Sequence, residues 1–139
     1  MRIETSLLTF HTKGRTDVVD ITDEIAERMR ETNMQEGSVL IFASGSTCGI
    51  TTIEYEPGLV ADIKEFFERV VPEAITYKHD ERWHDGNGHS HIRSSLLKNS
   101  LTIPFLKGEL LLGTWQQVIF IEFDNKARNR KIYLQFTGE

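Results

Sequence analysis

The sequence holds a single cysteine, Cys48, so no intrachain disulfide can form. That excludes a disulfide-stapled scaffold and points to a reducing compartment. Basic side chains are the minority, 16 against 21 acidic ones, for a formal charge of −5. Broad nucleic-acid binding needs a basic face, and this balance argues against one. A small local cationic pocket for phosphate stays compatible with it. No stretch approaches the ~20 apolar residues of a membrane helix. Met1-Arg2-Ile3-Glu4 is followed by no long apolar run of signal-peptide type. The expectation is a cytoplasmic protein that partners neither nucleic acid nor membrane. Internal repeats, low-complexity tracts and Pro/Gly/Ser-rich linkers are also missing, which leaves no natural point to divide the chain.

What is present suits one folded domain spanning residues 1–139, with 39% hydrophobic and 27% charged residues. A domain of this length buries roughly two-thirds of its unfolded-chain surface, so it needs no staple. Residues 3–12, rich in β-branched and aromatic types, predict a strand. Residues 18–21 predict its hairpin partner, with Lys13-Gly14 in the turn. Thr22 reads as the N-cap of a helix to about Asn33, with Ile25 and Met29 on one face. Residues 38–44 are almost all apolar, which predicts a strand buried on both faces. A loop at 45–49 leads to a strand at 50–55. Pro57 then opens a helix with Leu59, Ile63, Phe66, Phe67 and Val70 inward, ended before Pro72. A short strand at 75–78 and a short helix at 90–98, with Ile92 and Leu96 inside, follow. The remainder predicts strands at 101–105, 109–112, 115–123 and 131–136, the last two joined by a polar turn at 125–129. There is no βαβ alternation. The expected architecture is α+β, a mostly antiparallel sandwich with two or three helices packed outside.

Four of the five histidines, His79, His84, His89 and His91, crowd into one window with Asp80, Glu81 and Asp85. Imidazole and carboxylate together suit zinc or another divalent ion, and they suit proton transfer near neutral pH. A solvent-exposed loop with idle histidines is the plain alternative, and the clustering favours function over it. His89 and His91 share a side only in extended backbone. Asn87-Gly88 is a turn signal, so the pair is expected at an extended loop-to-helix junction. The helix would start near Ser90 or His91 and aim its free N–H groups at an anion. His84 sits at the loop tip and is the weakest member, and His11 has no assigned role.

Arg93 beside that helix start can clamp a phosphate, or it can form a surface ion pair. Gly45-Ser46-Thr47-Cys48-Gly49 places Ser46 and Thr47 in a glycine-flanked loop able to face a phosphate. Cys48 is either a nucleophile activated by a histidine or, as preferred here, a small buried hydrophobe. Glu54, on the face of Thr52, can reach a metal or act as a base; a strand-end glutamate can equally be solvated. Gln116 can hydrogen-bond a ring edge, and Trp115 can stack on a flat heterocycle or belong to the core. Arg128 and Arg130 flank the last turn and read as solubilising.

Three runs then act in combination. They are His89-Ser90-His91-Ile92-Arg93-Ser94-Ser95-Leu96-Leu97, Ser100-Leu101-Thr102-Ile103-Pro104 and Leu112-Gly113-Thr114-Trp115-Gln116-Gln117. Together they resemble the secondary thiamine-phosphate synthase family, also called YjbQ-like, most clearly from the Gly45 loop to Gly138. The resemblance implies an α+β sandwich assembled as a homotrimer, with a weak or secondary thiamine-phosphate synthase activity. His79, Asp85, His91, Gln116 and Glu54 match the family's recurring polar positions, and His89 matches a subset. The departure is Gly45, where many relatives carry histidine; His89 is the candidate to replace that imidazole.

The resulting expectation is an enzyme joining an aminopyrimidine diphosphate to a thiazole phosphate. A divalent ion (Zn or Mg) is assigned to His79, His91 and His89, and acts with Arg93 on the phosphates. His91, Asp85 and Glu54 are the expected catalytic residues, with Asp85 orienting a histidine or binding the metal through water. Arg93, Gln116, Ser46, Thr47 and Asn87 are the expected substrate contacts. A metal-dependent hydrolase of a small phosphorylated or acylated substrate is the alternative, as is a non-catalytic metal- or ligand-binding module.

Overall fold

The computed structural model describes residues 1–139. Eight strands and four helices follow one another as β1 (Arg2–His11), β2 (Asp17–Asp20), α1 (Thr22–Thr32), β3 (Glu36–Ala43), β4 (Cys48–Ile53), α2 (Pro57–Val70), α3 (Lys78–Trp83), α4 (Gly88–Leu97), β5 (Ser100–Leu106), β6 (Glu109–Leu110), β7 (Gln117–Glu122) and β8 (Asn129–Gly138). The strands form a five-stranded sheet in the order β1-β8-β3-β5-β6 and a three-stranded sheet in the order β2-β7-β4. Every pairing is antiparallel. The fold is thus the expected α+β sandwich, with four helices instead of two or three.

The period of each strand explains the layering. Along β8, Arg130, Ile132, Leu134 and Phe136 are buried while Lys131, Tyr133 and Gln135 are exposed. Alternation of this kind turns every second side chain inward. Ile132, Leu134 and Phe136 meet Val39 and Ile41 from β3, Ile103 and Phe105 from β5, and Ile50, Val118 and Phe120 from the second sheet. Ile25 and Met29 of α1 close this main core, as their four-residue spacing predicts. A smaller cluster lies behind the three-stranded sheet, where Phe67 of α2 packs on Val18, Ile119, Ile121 and Phe123. The layers are therefore sheet, sheet and helix.

This layering overturns one assignment. The strand buried on both faces is β7, whose residues from Val118 to Glu122 are all buried. It is the central strand of the middle layer, with the core on one side and α2 on the other. In β3, Leu40 and Phe42 are 39% and 40% exposed, so its unbroken apolar run faces water on one side. Pairing also departs from sequence adjacency. β1 pairs with β8, and β2 pairs with β7, so residues 3–12 and 18–21 form no hairpin. Likewise the 125–129 turn carries the chain from one sheet to the other.

Smaller differences have local causes. Thr22 is the first helical residue of α1 and not its cap. Its hydroxyl donates to Asp20 Oδ1 (2.6 Å) and accepts from Val118 N (2.9 Å), which ties the helix start to β7. At α2 the carboxylate of Glu56 caps the helix by accepting from Gly58 N and Leu59 N, each at 2.8 Å. Only Phe67 of that helix is buried, and Phe66 and Val70 face out. Ile92 and Leu96 of α4 are also exposed. Residues 75–78 form no strand; Tyr77 precedes the unanticipated helix α3.

Candidate functional site

The histidine window folds as two short helices and a bend. α3 carries His79 and Asp80, and His84 ends it in a left-handed conformation (φ 58°). The chain turns through Asp85 and Gly86 and enters α4 at Gly88. Asp80 locks the two helices together by accepting from Gly88 N at 2.9 Å. Glycine is required there, because a Cβ on residue 88 would stand 2.6 Å from Tyr77 Cβ.

This geometry gathers His79, Asp80 and Asp85, whose ligand atoms all lie within 4.8 Å of one another. His79 Nδ1 is 3.4 Å from Asp85 Oδ1 and 3.7 Å from Asp80 Oδ1. The ring of His91 faces that of His79, with centroids 4.5 Å apart. Burial, then the neighbouring His79, lowers the pKa of His91 below the ordinary histidine value. Asp124, Asp85 and a backbone hydrogen bond with Ser46 oppose that shift. His91 is therefore a neutral imidazole near pH 7.

His89 does not join this cluster, which corrects its assignment as a metal ligand. Helix α4 starts at Gly88, before both histidines, so residues two apart diverge by about 200° around its axis. His89 turns inward, 2% exposed, with its ring 6.4 Å from that of Tyr77 and Nε2 3.3 Å from Ser90 Oγ. Its pKa is lowered by burial first and by Arg93 second. Its Nδ1 is buried without a hydrogen-bond partner.

Arg93 is not a phosphate clamp. It is 3% exposed. Its Nε and Nη2 donate to Val71 O at 3.0 and 2.8 Å, Nη1 donates to Thr16 Oγ1 at 3.3 Å, and Nη2 also reaches Glu68. The side chain thus holds the end of α2 against α4. Thr47 is likewise consumed: its hydroxyl donates to Asp124 Oδ2 at 3.2 Å and accepts from Arg130 Nη2 at 2.7 Å. Asn87 is 6% exposed and donates to Asp124 Oδ1 at 3.3 Å, so it supports the site from behind. Ser46 is exposed and free to meet a ligand, on a cleft that it shares with His91.

Glu54 and Gln116 lie elsewhere. In the β4–β7 ladder Cys48 pairs with Glu122, and Ile53 pairs with Gln117. Five residue steps at ~3.3 Å separate those ends by roughly 17 Å. The histidines stand at the first end, beside Ser46 and Asp124, while Glu54 and Gln116 stand at the second. Gln116 bonds Gly113 N (3.0 Å) and Thr52 Oγ1 (3.1 Å). Trp115 is neither in the core nor in a strand, and is 73% exposed in the turn before β7.

Behind the histidines sits a buried charged group that composition did not reveal. Arg130, expected as a solubilising turn residue, is 8% exposed, and its Nε and Nη2 donate to the Glu122 carboxylate. Asp124 is fully buried and accepts from Arg128 Nε (2.8 Å), Asn125 N (2.8 Å) and Asn87. Burial pulls the Asp124 pKa up, but the hydrogen bonds from Arg128, Asn125 and Asn87 outweigh it and hold the carboxyl below its ordinary value. Cys48 is the small buried hydrophobe that was preferred. Desolvation is the main cause that pushes its thiol up to about 11, so it is no nucleophile.

The sequence of residues 6–139 matches the model of the family described as UPF0047 protein YjbQ-like. The chain belongs to the YjbQ-like UPF0047 family. A UPF0047 protein of Archaeoglobus fulgidus is 41% identical over 125 residues, covering 90% of this chain and 95% of the relative. The UPF0047 protein YugU of Bacillus subtilis is 34% identical over 133 residues, covering 94% and 97%. Among solved structures, a hypothetical protein of Aeropyrum pernix K1 superposes with a TM-score of 0.91 at 32% identity, covering 98% of this chain and 99% of that one. A YbjQ-like protein of unknown function from Sulfolobus solfataricus P2 superposes at 0.90 with 27% identity, covering 99% and 100%. The sandwich and the helices that carry the histidines are thus a YjbQ-like framework.

Proposed function

We propose that this YjbQ-like protein is a divalent-metal-assisted enzyme acting on a small phosphorylated substrate, in the manner of a thiamine-phosphate synthase. The observation that carries the proposal is the convergence of His79, Asp80 and Asp85, with His91 against His79. The donor set passes a direct test of fit. His79 Nδ1 is buried, flanked by two carboxylates and without a hydrogen-bond partner, as a nitrogen kept for a cation would be. His79, Asp80 and Asp85 would hold the ion, with His91 next to them. A bound divalent ion supplies positive charge to phosphate oxygens.

The protein's own groups would do the rest. His91, with its pKa lowered and on one cleft with Ser46, offers a ring nitrogen to take or give a proton beside the substrate. Ser46 offers a hydroxyl. In synthase chemistry the diphosphate leaves an aminopyrimidine methylene and the thiazole nitrogen attacks that carbon. The resemblance adds Glu54 and Gln116 as ring contacts. One chain keeps them at the far end of the sheet, so this finer reading requires them from a neighbouring copy. The resemblance implies a homotrimer, and a face for self-association is offered by the outer side of the five-stranded sheet, where Leu7, Leu40, Phe42 and Tyr133 stay partly exposed together.

The test uses chelator-stripped protein reloaded with zinc or magnesium and assayed for condensation of the two phosphorylated halves. Metal-dependent turnover that falls by about 10²–10⁴ in His91→Ala is expected. An unchanged rate in that variant would remove the proposal. One observation favours a second reading: Asp85 has a side chain 49% exposed, which leaves the cluster open to water. A metal-dependent hydrolase uses such an open position, and turnover of simple phosphate and ester substrates that tracks added zinc would select it.

A further inference from the structure

A second polar feature shares His91 with the histidine site. It is a cleft of ≈ 360 Å³ between the loop after β3 and the last turn of α4. Gly45, Ser46, His91, Ser95, Lys98 and Asn99 line it, and no carboxylate or apolar side chain does. In a chain with five more acidic than basic side chains, a cleft whose one formal charge is a lysine is selective for anions.

Lys98 gives the cleft its meaning. Its backbone sits at φ 77°, ψ 162°, a region essentially confined to glycine. The conformation is held from both sides: Lys98 N donates to Ser94 O (2.9 Å) and Lys98 O accepts from Ile50 N (3.0 Å). Gly49 permits this approach, since a Cβ on it would lie 2.9 Å from Lys98 O. Local structure therefore asks for glycine at 98, and the sequence places lysine there, on a cleft wall and with no ion-pair partner among the protein's salt bridges. Strain of this kind persists where the surrounding structure holds it, and it clusters at ligand clamps and active sites.

Gly45, also on the cleft, has no room for a side chain. A side chain at Gly45 would stand 2.6 Å from Arg130 Nη1 and 3.1 Å from Cys48 Sγ. Arg130 engages Glu122 and Thr47 through Nε and Nη2, so Nη1 is the end turned toward Gly45. Asn99 Nδ2 spans from the other side to Gly45 O at 3.4 Å, with one proton to spare.

We infer that this cleft is the phosphate subsite of the molecule, with the Lys98 ammonium as its cation and Ser46 and Asn99 as neutral donors. It takes the place that Arg93 was expected to fill. The inference deepens the phosphorylated-substrate reading and rests on it for the identity of the rest of the ligand. The phosphate group itself is tested without turnover.

Inorganic phosphate is titrated by calorimetry into purified wild-type protein and into Lys98→Gln, Lys98→Gly and, as a charge-matched control on α2, Lys64→Gln. Lys98→Gly relieves the backbone and keeps the far-UV spectrum, so loss of fold cannot account for its result. Both Lys98 variants are expected to weaken phosphate by about tenfold or more, with Lys64→Gln unchanged. No phosphate binding by the wild type, equal binding by Lys98→Gln, or equal weakening by Lys64→Gln overturns the inference. The same titration on chelator-treated His79→Ala separates the two proposals. Phosphate binding retained there supports the cleft, whatever becomes of the synthase assay.

Discussion

Replacing Arg93 with methionine separates a structural from a ligand-binding role for the arginine in the histidine segment. Methionine keeps most of the aliphatic volume and removes the guanidinium. Three losses follow. The Val71 carbonyl, at the end of α2, loses two donors at 3.0 and 2.8 Å. A charged group donating to a buried carbonyl contributes about 1.5–3 kcal/mol, and the two bonds share one oxygen, so they count nearly as one. Thr16 Oγ1 loses a longer contact at 3.3 Å, for about 0.5 kcal/mol. Glu68 has a side chain 55% exposed, so its ion pair contributes about 0–1 kcal/mol after screening. The sum is roughly 2–4 kcal/mol, within the ~5–15 kcal/mol of an ordinary domain, so the variant still folds. Its melting temperature should fall by roughly 10 °C. Urea unfolding should be followed by far-UV circular dichroism, because Trp83 and Trp115 are already 62% and 73% exposed and report little by fluorescence. Phosphate affinity should survive below the transition. Wild-type stability combined with lost phosphate binding would refute this account of Arg93 and restore the clamp.

Four further outcomes are expected. Cys48, with its thiol pushed up to about 11 against an ordinary 9.0, should have about a hundredfold lower thiolate fraction at pH 8 than a free thiol and resist a disulfide reagent until urea unfolds the chain; rapid labelling of the native protein would contradict its burial. Asp124 has its folded-state pKa lowered, so its ionised form adds stability above the ordinary carboxyl value, and this is lost as pH falls through the folded pKa. Asp124→Asn should therefore flatten the loss of stability below about pH 4, and an unaltered acid limb would count against it. His79→Ala should weaken zinc about tenfold or more by calorimetry while His89→Ala leaves it nearly unchanged; the reverse order would return His89 to the metal set. Phe42→Asp, on the outer face of β3, should break the proposed trimer in sedimentation velocity, and an unchanged mass would exclude that face from the interface.

What could be read from the sequence was whatever has a local cause. The apolar spacing of Ile25 and Met29 located α1, Pro57 located the start of α2, and the β-rich composition of residues 131–136 located β8. Pairing partners are set by the whole fold, so β1 and β2 were wrongly joined across their short turn. Neighbouring layers decide burial on both faces, and the equally apolar runs of β3 and β7 differ only in that respect. The histidine window was visible from composition, but its phase was not. Starting α4 at Gly88 instead of Ser90 turned His89 inward and left His91 with His79. Asp80 was visible in that window but was given no role, because a strand was expected just before it and not the helix that aims it. Lys98 escaped because nothing in a lysine's identity announces a positive φ.

The buried charges explain how exposed ligands can be held accurately. Glu122, Asp124 and Arg130 contribute less to stability than well-packed apolar residues of the same volume, because desolvation offsets most of their attraction. Their placement gives them another use. Thr47 and Asn87 both donate to Asp124, Arg130 bonds Thr47, and Asn125 Nδ2 donates to Asp85 O at 2.9 Å. The three segments that present Ser46, Asp85 and His91 are thus tied to one rigid group at the end of β7. Position 45 belongs to the same group, since a side chain there would collide with Arg130 Nη1. A histidine at 45, the residue that the family resemblance implies there, would require the guanidinium to move. Gly45 and Arg130 are therefore a matched pair. The absence of that histidine changes the shape of the anion subsite and leaves His79, Asp80, Asp85 and His91 as they are.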